Sequence, residues 1–184
     1  MCVILGDLGM GKTTTTKLFT QALLAKHDAD ALAPLPVLFD FRDFDVSALG
    51  PAPNLERILD LLVDSTDSLG AKPTGRQILE TVQRGGCVLV FDGLDEVLVK
   101  MDRAQGNRFT SLLWRAITPL PGAEPRTDVL SPKLVLTCRT HYFRDLRDQL
   151  GHFTGRSREG IRAQDYVAFA MLPFSENQIR RYLA

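Results

Sequence analysis

No apolar run in this 184-residue chain reaches the roughly 18 residues that a membrane-spanning helix needs. The opening Met1-Cys2-Val3-Ile4-Leu5 runs straight into glycine, without the basic, apolar and small-residue order of a signal peptide. A soluble protein with no membrane partner is expected. Neither charge is in excess: 22 basic residues balance 22 acidic ones, so no overall field draws the chain to nucleic acid or an anionic bilayer, and no direct nucleic-acid contact is expected. Cysteine is scarce. Cys2, Cys87 and Cys138 lie far apart, form no CxxC pair, and two of them sit in apolar strand-like runs where a thiol behaves as a small hydrophobe. Structural cysteines in a reducing cytoplasm fit this pattern. His27, His141 and His152 share no metal-ligand spacing with one another or with the cysteines, which argues against zinc. Internal repeats are lacking, and the four threonines from Thr13 to Thr16 are the sole low-complexity stretch.

What is present is an alternation of short apolar runs with helical patterns. Cys2 to Leu5 reads as a strand, Gly6 to Gly11 as a glycine loop, and Leu18, Ala22 and Leu23 as the apolar face of a helix. A second strand covers Pro36 to Phe41. After a Pro/Gly-rich break, Leu55, Ile58, Leu59, Leu62 and Val63 share one helical face behind an Asn54 cap. Thr74-Gly75-Arg76-Gln77 forms a capping-box pattern for a helix carrying Ile78, Leu79 and Val82, which stops at Gly85-Gly86. Cys87 to Phe91 is almost wholly apolar, as suits a strand covered on both faces of a parallel sheet. A helix is expected around Phe109 to Ile117, a loop over 119–132, a strand from Lys133 to Cys138, a short helix from His141 to Leu150, and an apolar run from Tyr166 to Leu172. Ser175-Glu176-Asn177-Gln178 then caps a final helix. One domain over residues 1–184 is expected, with a start on a strand and an end just inside a helix that read as a piece of a longer protein.

Five strands alternating with helices predict a three-layer α/β domain with a mostly parallel five-stranded sheet. Ligands of such sheets bind outside the carboxyl ends of the strands. The segments around Lys12, Asp92 and Arg139 each follow a strand's carboxyl end directly, so they are expected to meet at one edge.

Gly6-Asp7-Leu8-Gly9-Met10-Gly11-Lys12-Thr13 matches the P-loop pattern in full, between a strand and a helix as that pattern requires. Glycines let successive N–H groups turn inward onto an anion, and the following helix adds its positive end. Lys12 is placed to reach the β- and γ-phosphates, Thr13 to ligate Mg2+, and Thr14 to complete the cradle for ATP or GTP. Asp92, the acid at the tip of a buried strand, is the expected partner of that Mg2+. Asp95 and Glu96 lie one turn further on, where a carboxylate can orient or deprotonate the attacking water; Glu96 is the preferred base and Asp95 the alternative. Arg139 follows the fourth strand and is read as a γ-phosphate sensor, with a structural ion pair as the competing role. Thr137 is a weaker candidate for contact with the same phosphate.

Other signals are blander. Asp40 and Asp43, with Arg42 between them, follow the second strand, where they can approach the site, and are read first as capping or supporting residues. Arg144, Arg147, Arg156, Arg158 and Arg162 form the local basic cluster, read as a solvated or partner-facing loop because no aromatics interleave it. Trp114 is either core or an interface anchor. A metabolic P-loop kinase is the alternative function, with the 156–162 loop as its candidate lid. A GTPase is disfavoured: no Asn-Lys-x-Asp segment reads guanine, and Val90 stands where an Asp-x-x-Gly motif ending at Gly93 needs aspartate.

Together these residues resemble the NACHT domain of the STAND class of signal-transduction NTPases. The likeness is carried by Gly6 to Thr14, by Val88-Leu89-Val90-Phe91-Asp92-Gly93-Leu94-Asp95-Glu96, by Leu134-Val135-Leu136-Thr137-Cys138-Arg139-Thr140, and by Leu172-Pro173-Phe174-Ser175-Glu176-Asn177-Gln178-Ile179. The resemblance implies an ATP-preferring switch that binds ATP/ADP with Mg2+ inside a larger protein, alongside helical and winged-helix, sensor and effector domains. It further implies a closed ADP form, an ATP form that self-oligomerises, slow hydrolysis, and roles in innate immunity, cell-death signalling or phage defence.

Overall fold

The computed structural model describes residues 1–66, 70–118, 133–143 and 166–183. Its strands are β1 (Cys2–Leu5), β2 (Leu35–Asp40), β3 (Cys87–Asp92), β4 (Lys133–Cys138) and β5 (Val167–Ala170). Its helices are α1 (Lys12–Ala29), α2 (Leu55–Asp64), α3 (Gly75–Gln83), α4 (Leu94–Leu98), α5 (Arg103–Trp114) and α6 (Glu176–Leu183). The five strands form one sheet in the order β2-β3-β4-β1-β5, and every pairing is parallel. This is an α/β P-loop NTPase fold. All strands therefore end on the same edge, with Leu5 opposite Cys138 and Asp40 opposite Asp92.

The period-two rule for strands sorts the side chains into two layers. Cys87, Leu89 and Phe91 of β3 join Val3, Leu5, Leu134, Leu136 and Cys138 in the main core, which also takes in the apolar faces of α2, α3, α4 and α5. Val88 and Val90 point the other way and pack with Val135, Ile4, Leu38 and Leu23 of α1. Every residue of β3 is buried, which accounts for its unbroken apolar run.

An aromatic cluster stiffens the sheet beneath its acidic tips. Phe41 stacks on Phe91 with centroids 5.2 Å apart and meets Phe109 edge-on at 5.6 Å, while its backbone N–H donates to the Asp92 carbonyl at 2.9 Å. Each such ring pair adds about 0.5–1.5 kcal/mol beyond the area it buries.

Several elements differ from expectation for identifiable reasons. The helix anticipated near Phe109 starts earlier, because Asp102 and Gln105 form a full capping box, and α-helical geometry ends at Trp114 before a tight turn over Arg115–Ile117. Trp114 lies in the core. In α1 Thr16 is fully buried and Leu23 packs on the sheet, whereas Leu18 faces solvent, so the anticipated apolar face is only partly the one that meets the sheet. The apolar run after Tyr166 forms β5, an edge strand exposed along its length. Beyond the short turn Thr140–Tyr142, the helix anticipated to Leu150 lies outside the described residues, as do the 119–132 loop and the arginines from 144 to 162.

Candidate functional site

Between β1 and α1 the chain must reverse tightly while keeping its amides free. Gly9 and Gly11 adopt φ values of 78° and 84°, left-handed backbone that a side chain would strain. Gly6 has a different reason to lack a side chain, since a Cβ there would lie 3.1 Å from that of Met171. Lys12 opens α1 and folds back under the loop, donating from Nζ to the carbonyls of Gly6 at 2.6 Å and Asp7 at 3.1 Å. Neither partner is charged, so the ammonium charge is not neutralised.

The next residue reaches across the sheet. Thr13 Oγ1 donates to Asp92 Oδ2 at 2.6 Å, joining the glycine loop to the tip of β3. The other carboxylate oxygen, Asp92 Oδ1, accepts from Thr137 Oγ1 at 2.6 Å, and the same hydroxyl accepts from the Gly93 N–H at 2.8 Å. Asp92 is thus fixed on both oxygens and almost wholly buried. Thr137 is the residue that orients it, a role the sequence does not announce because it depends on β4 lying beside β3.

Gly93, at φ 80°, turns the chain from β3 into α4, whose first turn carries Asp95 and Glu96. Arg139 holds both. Its Nε lies 2.9 Å from Asp95 Oδ2, its Nη2 lies 2.9 Å from Glu96 Oε1, and its backbone N–H donates to Asp95 Oδ1 at 3.0 Å. Burial raises the Asp95 carboxyl above its ordinary range, opposed by the hydrogen bonds and charge of Arg139. Of the two roles weighed for Arg139, the ion pair is the one adopted in this conformation. The three thiols are unpaired, and burial pushes each of them up, so none is a ready nucleophile.

These groups line a cleft of about 370 Å³. From the glycine loop it takes Leu8, Gly9, Gly11, Lys12, Thr13 and Thr14, while Gly6, Asp7 and Met10 complete the loop without forming its wall. Asp92, Asp95, Glu96, Thr137 and Arg139 form the far side. The edge anticipated from the sequence therefore assembles in one place. Asp40, the last residue of β2, and Arg42, two residues past it, also line the cleft. Their place after the second strand lets them approach the site, and the parallel register of Asp40 against Asp92 brings them to the cleft. Asp43 does not line it. His141 approaches Asp7 at 3.5 Å, and His27 meets the Ala33 carbonyl at 2.6 Å across the end of α1; His152 lies outside the described residues.

The chemistry of the donors fits a hard cation bound together with phosphates. A hydroxyl and a carboxylate 2.6 Å apart at the head of a glycine loop are oxygen ligands of the kind Mg2+ takes. Among the described residues no group of three or more His, Cys, Asp or Glu gathers into a metal-holding arrangement. Mg2+ here would accordingly share its coordination with a ligand's phosphates rather than sit in a cage of protein side chains.

Comparison with known proteins gives a family and a fold. The family model of the NACHT domain matches residues 1–184. Over 152 residues, 79% of the chain, the sequence is 29% identical to an uncharacterised WD repeat-containing protein of Nostoc sp. (strain PCC 7120), of which it spans 9%. Among solved structures, the chain resembles the Aeropyrum pernix ORC1 protein in complex with DNA, at a TM-score of 0.55 and 14% identity over 99% of this chain and 42% of that one. It also resembles the A. pernix ORC2 protein in its ADPNP-ADP complexes, at a TM-score of 0.51 and 17% identity over 98% of this chain and 44% of that one. The chain thus spans less than half the length of each of these relatives.

Proposed function

The chain belongs to the NACHT domain family, a nucleotide-binding NTPase domain found in multidomain proteins, and from that premise we propose that it is the ATP/ADP switch of a larger signalling protein. The observation that carries this reading is the single carboxylate of Asp92, held at 2.6 Å by Thr13 from the glycine loop and at 2.6 Å by Thr137 from β4. It ties phosphate binding, metal binding and the arginine-bearing strand into one rigid unit.

Each residue then has a task. The amides of the loop from Gly6 to Thr14, with the start of α1, bind the phosphates, and the Lys12 charge faces the β- and γ-positions. Thr13 and Asp92 hold Mg2+, which when bound neutralises phosphate charge. Glu96, with Asp95 as the alternative, accepts the proton of the attacking water. Arg139 links phosphate occupancy to that base, because a γ-phosphate drawn to its guanidinium competes directly with Glu96 Oε1. While the pair is closed, the carboxylate is engaged by Arg139 and is a poorer base. Slow hydrolysis by the domain on its own follows.

The wider biology extends the same reading. We place the domain in a cytoplasmic protein of innate immune or antiphage defence signalling, with helical and winged-helix, sensor and effector domains attached and self-oligomerisation in the ATP state. The WD repeats of the Nostoc relative support a repeat-built sensor. The test is calorimetry with ADP and Mg2+. Lys12→Ala is expected to abolish measurable binding, and Glu96→Gln to keep binding while turnover is lost; phosphoryl transfer from ATP to a nucleoside or sugar would instead establish a kinase.

A further inference from the structure

Arg42 is a cation on the nucleotide cleft that none of the roles above uses. It lies two residues beyond β2, next to the strand that carries Asp92, and lines the cleft. Its position is set locally. The Asp40 carboxylate accepts the Arg42 backbone N–H at 2.9 Å, and between them Phe41 is locked by its ring stack on Phe91 and its N–H bond to the Asp92 carbonyl. The backbone that presents Arg42 is therefore rigid while its side chain is 61% exposed.

The charge balance of the cleft gives Arg42 a task. Asp40, Asp92, Asp95 and Glu96 line the cleft against Lys12, Arg42 and Arg139, so acids are in excess before any phosphate enters. Arg139 already faces two carboxylates at 2.9 Å, one of them buried. Removing it from both to meet a phosphate would leave a buried carboxylate unpaired, which is strongly unfavourable. Among the described residues Arg42 has one acidic partner, Asp40 at 3.2 Å, and both members of that pair are exposed, at 61% and 44%. Such exposed pairs contribute little to stability and exchange readily for a better anion. A planar guanidinium also matches two oxygens of a γ-phosphoryl group, which ADP lacks.

We propose that Arg42 exchanges Asp40 for the γ-phosphate and is a specificity-determining residue that makes the cleft prefer ATP to ADP. The inference rests on the nucleotide-switch reading above. In the nucleotide-free form Asp40 keeps the guanidinium parked at the mouth of the cleft, and binding of the triphosphate moves it inward. Arg139 keeps its contact with the buried Asp95 and meets the same phosphate only through the arm it withdraws from Glu96.

The experiment measures ATP and ADP dissociation constants by calorimetry, with Mg2+ present, for the full chain and for Arg42→Ala, Arg42→Lys and Asp40→Asn. Arg42→Ala is expected to weaken ATP about tenfold, the equivalent of about 1.4 kcal/mol, while ADP changes less than about twofold. Arg42→Lys restores part of the ATP affinity, since it keeps the charge but loses the two-pronged geometry. Asp40→Asn is expected to tighten ATP by freeing the guanidinium. Equal losses for ATP and ADP, or no change in their ratio, would overturn the assignment of Arg42. Unaltered ADP binding in Lys12→Ala would sink the site itself, and so separates the two failures. Arg42 is surface-exposed, and matching thermal midpoints for the variants confirm that the fold is retained.

Discussion

Arg139 is held by Asp95 and Glu96 at once, and the consequences of that arrangement are measurable one residue at a time. Arg139→Ala leaves Asp95 almost buried without its cation. Breaking a fully buried pair costs about 3–5 kcal/mol; because Arg139 keeps 30% of its side chain in water, a loss nearer about 2 kcal/mol is expected, or about 4–8 °C in Tm for a domain of this size. The pH dependence has a definite sign. Burial raises the Asp95 carboxyl, so its ionised form lowers stability above the ordinary carboxylate value, and the penalty fades as pH falls through the raised one. Removing Arg139 takes away the hydrogen bonds and charge that oppose burial and raises that carboxyl further. The Tm deficit of Arg139→Ala should be smaller at pH 5 than at pH 7. A deficit that grows on acidification would show that Asp95 is not the group left unpaired. The acids and the arginine are plain in the sequence as strand-end residues; their mutual geometry is not, because it depends on α4 turning Asp95 and Glu96 back toward β4.

At the scale of elements, α2 and α3 show what a helix owes to its ends and its contacts. Their apolar stripes and the caps at Asn54 and Thr74 are legible from spacing alone, and the structure has both. The contact between them is not legible. Gly75 starts α3 directly against α2, where a Cβ would stand 2.1 Å from the Glu56 carbonyl oxygen, and its N–H donates to Asp60 Oδ1 at 2.6 Å. A glycine inside a capping box looks in the sequence like a tolerated weakness, whereas here it is the only residue that lets the two helices touch. Gly75→Ala should therefore destabilise by about 1–3 kcal/mol, the range for overpacking a core, although alanine is the better helix former. Urea unfolding checks this, with a lower midpoint and an unchanged slope; a midpoint at or above the parent value would mean that α3 shifts freely. The late reading of α5 has the opposite cause. Asp102 and Gln105 signal its start, but Gly106 in the first turn masks the helical pattern.

At the scale of the whole molecule, the sequence indicates that chemically unusual segments end on one edge, because parallel strands share their direction, but it does not give the strand order. That order has β4 between β1 and β3, which puts Thr137 and Arg139 between the lysine of one strand end and the acid of the other. A chain with no net charge thereby acquires a cleft with local acidic excess. A triphosphate adds further negative charge, so binding should require a divalent cation far more than in a lysine-rich site. At about one hundred times the dissociation constant, ATP with Mg2+ is expected to stabilise the fold by about 2.7 kcal/mol, a rise in Tm of about 5–10 °C. Chelating the metal at the same ATP concentration should remove most of that rise, because Asp92 then faces the phosphates without a bridging charge. Asp92→Asn should narrow the gap between the two conditions, since it deletes the carboxylate that both opposes free ATP and holds the ion. Equal Tm shifts with and without Mg2+ in the parent chain would dismiss Thr13 and Asp92 as the metal-holding pair while leaving the glycine loop and Lys12 as the phosphate cradle.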